Sequence, residues 1–318
     1  MRITVLLAAL LFTVGAAPAS LQDPAAPLKT PLLELDAVAV DRQGNPVRDL
    51  KPSDIEVWLE SYRLPLGSLT ALSENDERRR RSIIVLLDDM TISPELVPRI
   101  RRAASQVVAR LEPGDRMSIG LLSGGGLTAA DPAALRQVID RFNVRATAPI
   151  RPDDLSVHVF ATLTNIARQA AEAPGHRKTV ITIGPGWVFD TPIPPPSVAR
   201  NLRDEWTTTV RAMAYSNIAL YVIDPGGVGS SGTTGGAAGL ARDTGGLAFM
   251  NTNDIPAAID RVMKEASGYY ILQFEDPPFF RTAPLRKLDL RTRRSDVTLR
   301  ARRLIPGTPS GKAGVKGF

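Results

Sequence analysis

The chain has 318 residues, 43% hydrophobic and 23% charged, a balance that excludes wholesale disorder and leaves room for one large domain or two. It has no cysteine, which excludes disulfides, thiolate metal sites and thiol nucleophiles, and its two histidines, His158 and His176, are too few for a histidine-rich zinc site. The net charge of +6 is uneven, because from Arg281 onward eleven Lys and Arg stand against Asp289 and Asp296 while the rest of the chain is slightly acidic. In chain order, Arg2, the apolar stretch Val5–Val14 and Ala17-Pro18-Ala19 predict a signal peptide over 1–19. The stretch is about half what a membrane span needs. The mature chain is therefore expected to be exported, periplasmic or secreted, with no transmembrane helix after signal removal. Residues 20–31 read as a disordered lead-in.

Alternation and β-rich composition predict strands at Leu33–Val40, Val47–Leu50 and Ile55–Leu59. The middle then switches to alternating strand and helix. Ser82–Leu87 is a nearly continuous apolar run, as expected of a buried parallel strand. Ile100, Ala103, Ala104, Val107, Val108 and Leu111 follow at helical spacing, and Met117–Leu122 is a second strand. Asp131-Pro132 reads as N-cap and first-turn proline of a helix. Helices around Val159–Ala170 and Val198–Met213 alternate with strands at Thr179–Ile183 and Ile218–Ile223. A short helix through Leu240, a strand at Leu247–Phe249 and a helix around Ile255–Met263 complete the unit. After Gly268 the chain is β again, with Tyr269–Phe274 followed by a hairpin of Arg286–Thr292 and Val297–Arg303. These elements predict an α/β doubly wound, mostly parallel sheet over 82–267. A smaller discontinuous β-domain is expected from 32–72 and 268–304, and a loose tail over 305–318.

In such sheets ligands sit at the carboxyl ends of the strands. The first central strand ends there in Asp88-Asp89-Met90-Thr91-Ile92-Ser93. Asp89, Thr91 and Ser93 put one carboxylate and two hydroxyls on a short loop, a hard oxygen set suited to Mg²⁺, or to Mn²⁺ or Ca²⁺. The bland alternative gives Asp88 and Asp89 a capping and helix-dipole role. Trp187 and the prolines Pro194 and Pro195 belong to the same edge. An exposed indole beside a stiff proline loop suits contact with a protein partner, and a core tryptophan under a surface loop is the competing reading. Gly227–Gly232 matches G-x-G-x-x-G but does not open a helix at once, so a flexible loop is favoured over nucleotide binding. There is no G-x-S-x-G elbow. Arg78–Arg81 reads as a solvated connector. On the C-terminal hairpin, Lys287, Arg291, Arg293, Arg300 and Arg302 are expected to face outward. They would meet an anionic surface or merely guard an edge. Nucleic acid is not an expected partner of an exported chain.

Several segments resemble the von Willebrand factor A superfamily, in particular the bacterial secreted VWFA-related proteins. They are Leu35–Val47, Leu50–Val57, Ile84–Asp88, Leu111–Arg116, Asp243–Gly246 and Gly268–Leu272. The resemblance covers roughly 32–304 and implies a Rossmann-like sheet with a metal-ion-dependent adhesion site. That site would use Asp89, Thr91 and Ser93, or a frame starting at Asp88 that places Met90 at the next ligand. It would add Thr162 or Thr164 from a later loop, and the partner would complete the shell with a carboxylate. The family's third element is replaced here by Gly184-Pro185-Gly186. The function this implies is a protein-binding, adhesion-type module rather than an enzyme. An enzyme or cofactor binder at the same edge, or a structural domain with a non-functional metal site, are the alternatives.

Overall fold

A computed structural model describes residues 32–72, 76, 80–145, 151–171, 177–187, 196–229, 235–277 and 285–307. The apolar runs of the middle segment become the core of a six-stranded sheet. Its members are β5 (Ser82–Leu87), β6 (Arg116–Leu121), β7 (Thr128–Ala129), β8 (Lys178–Ile183), β9 (Ile218–Ile223) and β10 (Ala248–Phe249). Their order is β10-β9-β8-β5-β6-β7, parallel except for β7, which pairs antiparallel with β6. Every residue of β8 and β9 is buried, as strands covered on both faces require.

Among the described residues, six α-helices cover the two faces. Those of one face are α1 (Val97–Ala109), α2 (Pro132–Arg141) and α6 (Ile255–Ser267), and they close a cluster with Val85, Leu87, Ile181 and Tyr221. On the opposite face α3 (Pro152–Ala171), α4 (Pro196–Tyr215) and α5 (Gly235–Asp243) pack on Leu86, Val180, Leu220 and Val222. The expected stripe of α1 is the buried one, from Ile100 to Val108. Asp131 caps α2 as expected, accepting from the Ala133 and Ala134 amides. This arrangement is a doubly wound α/β fold.

Outside it lie two four-stranded antiparallel sheets. One has the order β13-β1-β11-β4, from β1 (Leu32–Val40), β4 (Leu66–Ala71), β11 (Tyr270–Glu275) and β13 (Thr298–Ala301). The second has the order β14-β12-β2-β3, from β2 (Ile55–Leu59), β3 (Tyr62–Leu64), β12 (Leu285–Thr292) and β14 (Leu304–Pro306). N- and C-terminal strands are interleaved in both. Side chains alternate along β1: Leu35, Ala37 and Ala39 join the core between the two small sheets, while Val38 and Val40 face the other way with Tyr269 and Ile271. From Leu32 onward the chain forms one compact unit.

Several expectations are corrected here. Residues 286–292 and 297–303 do not pair as a hairpin: β12 pairs with β2 and β14, whereas β13 pairs with β1 in the other sheet. Val47–Leu50 forms no strand, and Leu304–Pro306 is a strand of the sheet rather than the start of a tail. Strands β3, β4 and β7, which are short or weakly patterned, have no counterpart in the sequence reading. Arg81 is no solvated connector, since it is 5% exposed and its Nε donates to Asp115 at 2.8 Å.

Arg300 and Arg302 turn inward because β13 lies against the amino edge of the large sheet. The Arg300 guanidinium pairs with the buried Glu265 of α6, and Arg302 donates to the Ala214 carbonyl at 2.6 Å. Glu265 also accepts from the Tyr221 hydroxyl at 2.8 Å and from Arg261 at 3.1 Å. Arg177 donates to the Tyr221 hydroxyl at 3.3 Å, and Asn217 donates to Asp36 of β1 at 2.6 Å. Burial and the negative charge of Glu265 push the Tyr221 hydroxyl up to about 12. This network ties the small sheets to the α/β layer. Gly245, at φ +82°, belongs to the same contact. A Cβ there would lie 2.7 Å from the Arg302 amide nitrogen, which explains the glycine of Asp243-Thr244-Gly245-Gly246.

Candidate functional site

The chain leaves β5 toward the α1 face and leaves β8 toward the α4 face, so the switch in winding direction lies between these neighbours. Asp88 fills that crevice. Its amide donates to the Ile183 carbonyl at 3.1 Å, and its side chain lies over Gly184, where an added Cβ would come within 2.5 Å of the Asp88 Cβ. The carboxylate Oδ1 accepts from the Met90 amide at 2.9 Å and the Thr91 amide at 2.8 Å, and Oδ2 accepts from the Thr91 hydroxyl. Burial pushes the Asp88 carboxyl above its ordinary range. The hydrogen bonds from Thr91 and Met90 oppose that rise and the neighbouring charge of Asp89 adds to it.

Asp89 points elsewhere. Its Oδ1 accepts from the Ser123 amide at 2.9 Å and its Oδ2 from the Ser123 hydroxyl at 2.6 Å. It thus fastens the loop after β5 to the loop after β6. Ser93 is exposed, precedes a short 3-10 turn (Pro94–Leu96), and hydrogen-bonds the Glu95 carboxylate, which it helps hold below the usual range. Thr162 of α3 is buried and donates to the Leu122 carbonyl at 3.2 Å, beside His158, whose Nε2 lies 3.1 Å from the same oxygen. Thr164 faces the other way and bonds Thr209 of α4 at 3.0 Å, so it is no part of this edge.

The ligand set expected from sequence is therefore dispersed. A hard divalent cation needs oxygen lone pairs converging on one point. Here Thr91 is bonded to Asp88, Thr162 to the Leu122 carbonyl and Asp89 to Ser123, while Ser93 lies on the outer surface, so the oxygens are held by separate partners. These residues do not fit a divalent ion as they stand. Among the described residues no three His, Asp or Glu side chains gather as a metal-binding group.

Trp187, expected at the rim as a partner contact, is 2% exposed and packs in the core under α3 and α4. Its Nε1 finds no acceptor among the described residues. The indole is the largest side chain near that strand exit, and burying it removes more apolar area from water than any neighbouring choice. Pro194, Pro195 and His176 lie outside the described residues.

Two clefts open at this rim, one on each face of the sheet. A cleft of about 260 Å³ lies between α3 and a run of three glycines, Gly124, Gly125 and Gly126, all at positive φ. Another of about 240 Å³ lies between α1 and the loops after β9 and β10, lined by Arg99, Arg102, Gln106, Gly227, Thr252 and Asn253. Sequence reading passed over both Ser123 and this arginine pair. Arg101, Arg102, Gln106 and Arg110 are legible as the polar face of α1, but no local signal shows that a second wall stands opposite part of it. Neither a family model nor a curated protein matches this chain.

Proposed function

We propose that the chain is a partner-binding module of an exported protein, which recognises its partner with loops at the carboxyl rim of the six-stranded sheet and without a resident divalent ion. The observation that carries this reading is Asp88 lying against Gly184 in the crevice between β5 and β8. Doubly wound folds commonly admit a small ligand there. Here an entering ligand would have to displace a buried side chain that holds three hydrogen bonds. Contact then falls to the rim, where Leu121 and Val228 are 37% and 64% exposed. The Val228 loop is held in place, since the Val228 and Gly229 amides donate to the side chains of Asn253 and Asn251. Prearranged loops carrying apolar side chains lose little entropy on docking, which favours protein recognition over catalysis. The resemblance to VWFA-related proteins points the same way.

Site-specific photocrosslinking tests the reading. A crosslinking residue at Leu121 or Val228 is expected to trap a discrete protein, with or without chelator, and one at Tyr62 on the outlying β3 is not. Trapping only from Tyr62 would overturn it, and loss of the adduct with chelator would restore a metal-dependent site. Export is tested separately by intact mass, with a mature chain beginning at Ser20 as the expected result. Among the described residues no helix is long and apolar enough to cross a membrane.

A further inference from the structure

The cleft between α1 and the loops after β9 and β10 carries charge that its surroundings do not neutralise. Arg99, Arg102 and Gln106 recur at i, i+3 and i+7, so they form one line down the helix. Arg99 uses its Nη1 to hold the carbonyls of Pro225 and Gly226, at 3.0 and 2.9 Å, leaving its remaining donors for other acceptors. Arg102 is exposed and pairs with no acidic side chain among the described residues. The acids of the facing helix are occupied: Asp254 caps α6 through the Ala257 amide, and Asp260 pairs with Arg110. One turn below Arg102, the Gln106 Oε1 is buried with no donor. A buried acceptor without a partner costs free energy, which a turn of the Gln106 side chain toward a ligand N–H in the cleft would recover.

We infer that this cleft, resting on the rim-binding reading above, receives the free carboxyl terminus of a partner chain. Two guanidinium groups suit a carboxylate, and a terminal residue carries a main-chain N–H next to its carboxylate, as the spacing of Arg102 and Gln106 asks. A bare phosphate or an isolated carboxylate offers no such N–H. At about 240 Å³ the cleft is smaller than the ~300–1,000 Å³ of sites that enclose a whole small molecule, a size that suits a chain end. Val228, exposed on the adjoining loop, lies where the preceding residues of the partner would pass.

The test uses the full mature chain and fluorescence polarisation with N-terminally labelled hexapeptides of mixed sequence, prepared as free acids and as C-terminal amides. The acids are expected to bind about tenfold or more tightly than the amides, and Arg102→Ala to erase most of that difference. Gln106→Leu is expected to weaken the acids severalfold while keeping the preference for acid over amide. Arg102 is exposed and makes no pair among the described residues, so its variant keeps the wild-type unfolding midpoint. Equal binding of acid and amide, or an unchanged preference in Arg102→Ala, overturns the inference. So does displacement of the acids by inorganic phosphate at equal concentration, which would assign the cleft to a free anion. Crosslinking from Val228 that persists in Arg102→Ala would leave the rim-binding reading standing while this inference falls.

Discussion

The two ends of the large sheet use buried charge in opposite ways. At the amino end Glu265, Arg300, Arg177, Tyr221, Asn217 and Asp36 come from elements far apart in sequence, and their bonds fasten two layers of the molecule together. At the carboxyl end Asp88 bonds groups only two or three residues away, and Asp89 reaches one neighbouring loop. The first arrangement integrates the fold, and the second fixes the local shape of the carboxyl rim. Chemically similar carboxylates therefore make different contributions, depending on whether their partners are local or distant.

The sharpest way to break this comparison is Glu265→Ala. It orphans the Arg300 and Arg261 guanidinium groups and the Tyr221 hydroxyl, and is expected to cost about 3–5 kcal/mol in urea unfolding. Faster hydrogen exchange in β1 and β13 should accompany it. A cost under about 1 kcal/mol, with unchanged exchange, would show that the amino end does not hold the layers together.

Next come two closely packed glycines, one at each end. Gly245→Ala meets the Arg302 backbone and sits at positive φ, whereas the atoms nearest Gly184→Ala belong to the Asp88 side chain. Overpacking of this kind costs about 1–3 kcal/mol, and Gly245→Ala is expected to be the worse of the two by thermal unfolding. The reverse order would place the tighter packing at the rim.

Asp88 sharpens the contrast further. Asp88→Ala leaves the Met90 and Thr91 amides without an acceptor and is expected to cost about 1–3 kcal/mol, while Asp88→Asn keeps one acceptor oxygen and costs less. Because burial raises the folded carboxyl above its ordinary value of 3.8, the native state binds the proton more tightly than the unfolded chain. Its contribution is therefore fully present below about 3.8 and is lost as pH rises through the folded value. Wild type should show that slope in pH-dependent unfolding, and Asp88→Asn should lack it. The smallest expected effect is calorimetric: Mg²⁺ titrated into wild type or Asp89→Ala should give only dilution heat. A saturable heat present in wild type and lost in Asp89→Ala would return the site to metal binding.

The motifs that carry the family resemblance are mostly turn-forming groups. Asp41 accepts from the Gln43 and Asn45 amides, Asp54 from the Lys51 amide, and Asp115 from the Arg81 and Glu112 amides. Thr244 accepts from the Leu220 amide and donates into the end of α5. Each satisfies main-chain groups at a place where the chain changes direction. They make the fold readable and say little about what it binds.

The sequence by itself determined the strands β5, β8 and β9, the helices α1 and α2, the Asp131 cap and the alternation that means a doubly wound sheet. All of these follow from apolar periodicity and short-range capping, which act within about a dozen residues. Tertiary structure decided the rest. Asp88 and Asp89 are adjacent, yet successive side chains leave a strand on opposite sides, so only the position of β8 and Gly184 settles which one enters the crevice. The same holds for Arg300 and Arg302, whose direction depends on β13 pairing with β1 instead of β12. It holds for Trp187, buried by helices from elsewhere in the chain, and for the Arg102 cleft, whose opposite wall comes from residues more than 120 positions away. Contacts between segments so distant leave no periodic trace in either segment, so only the assembled fold displays them.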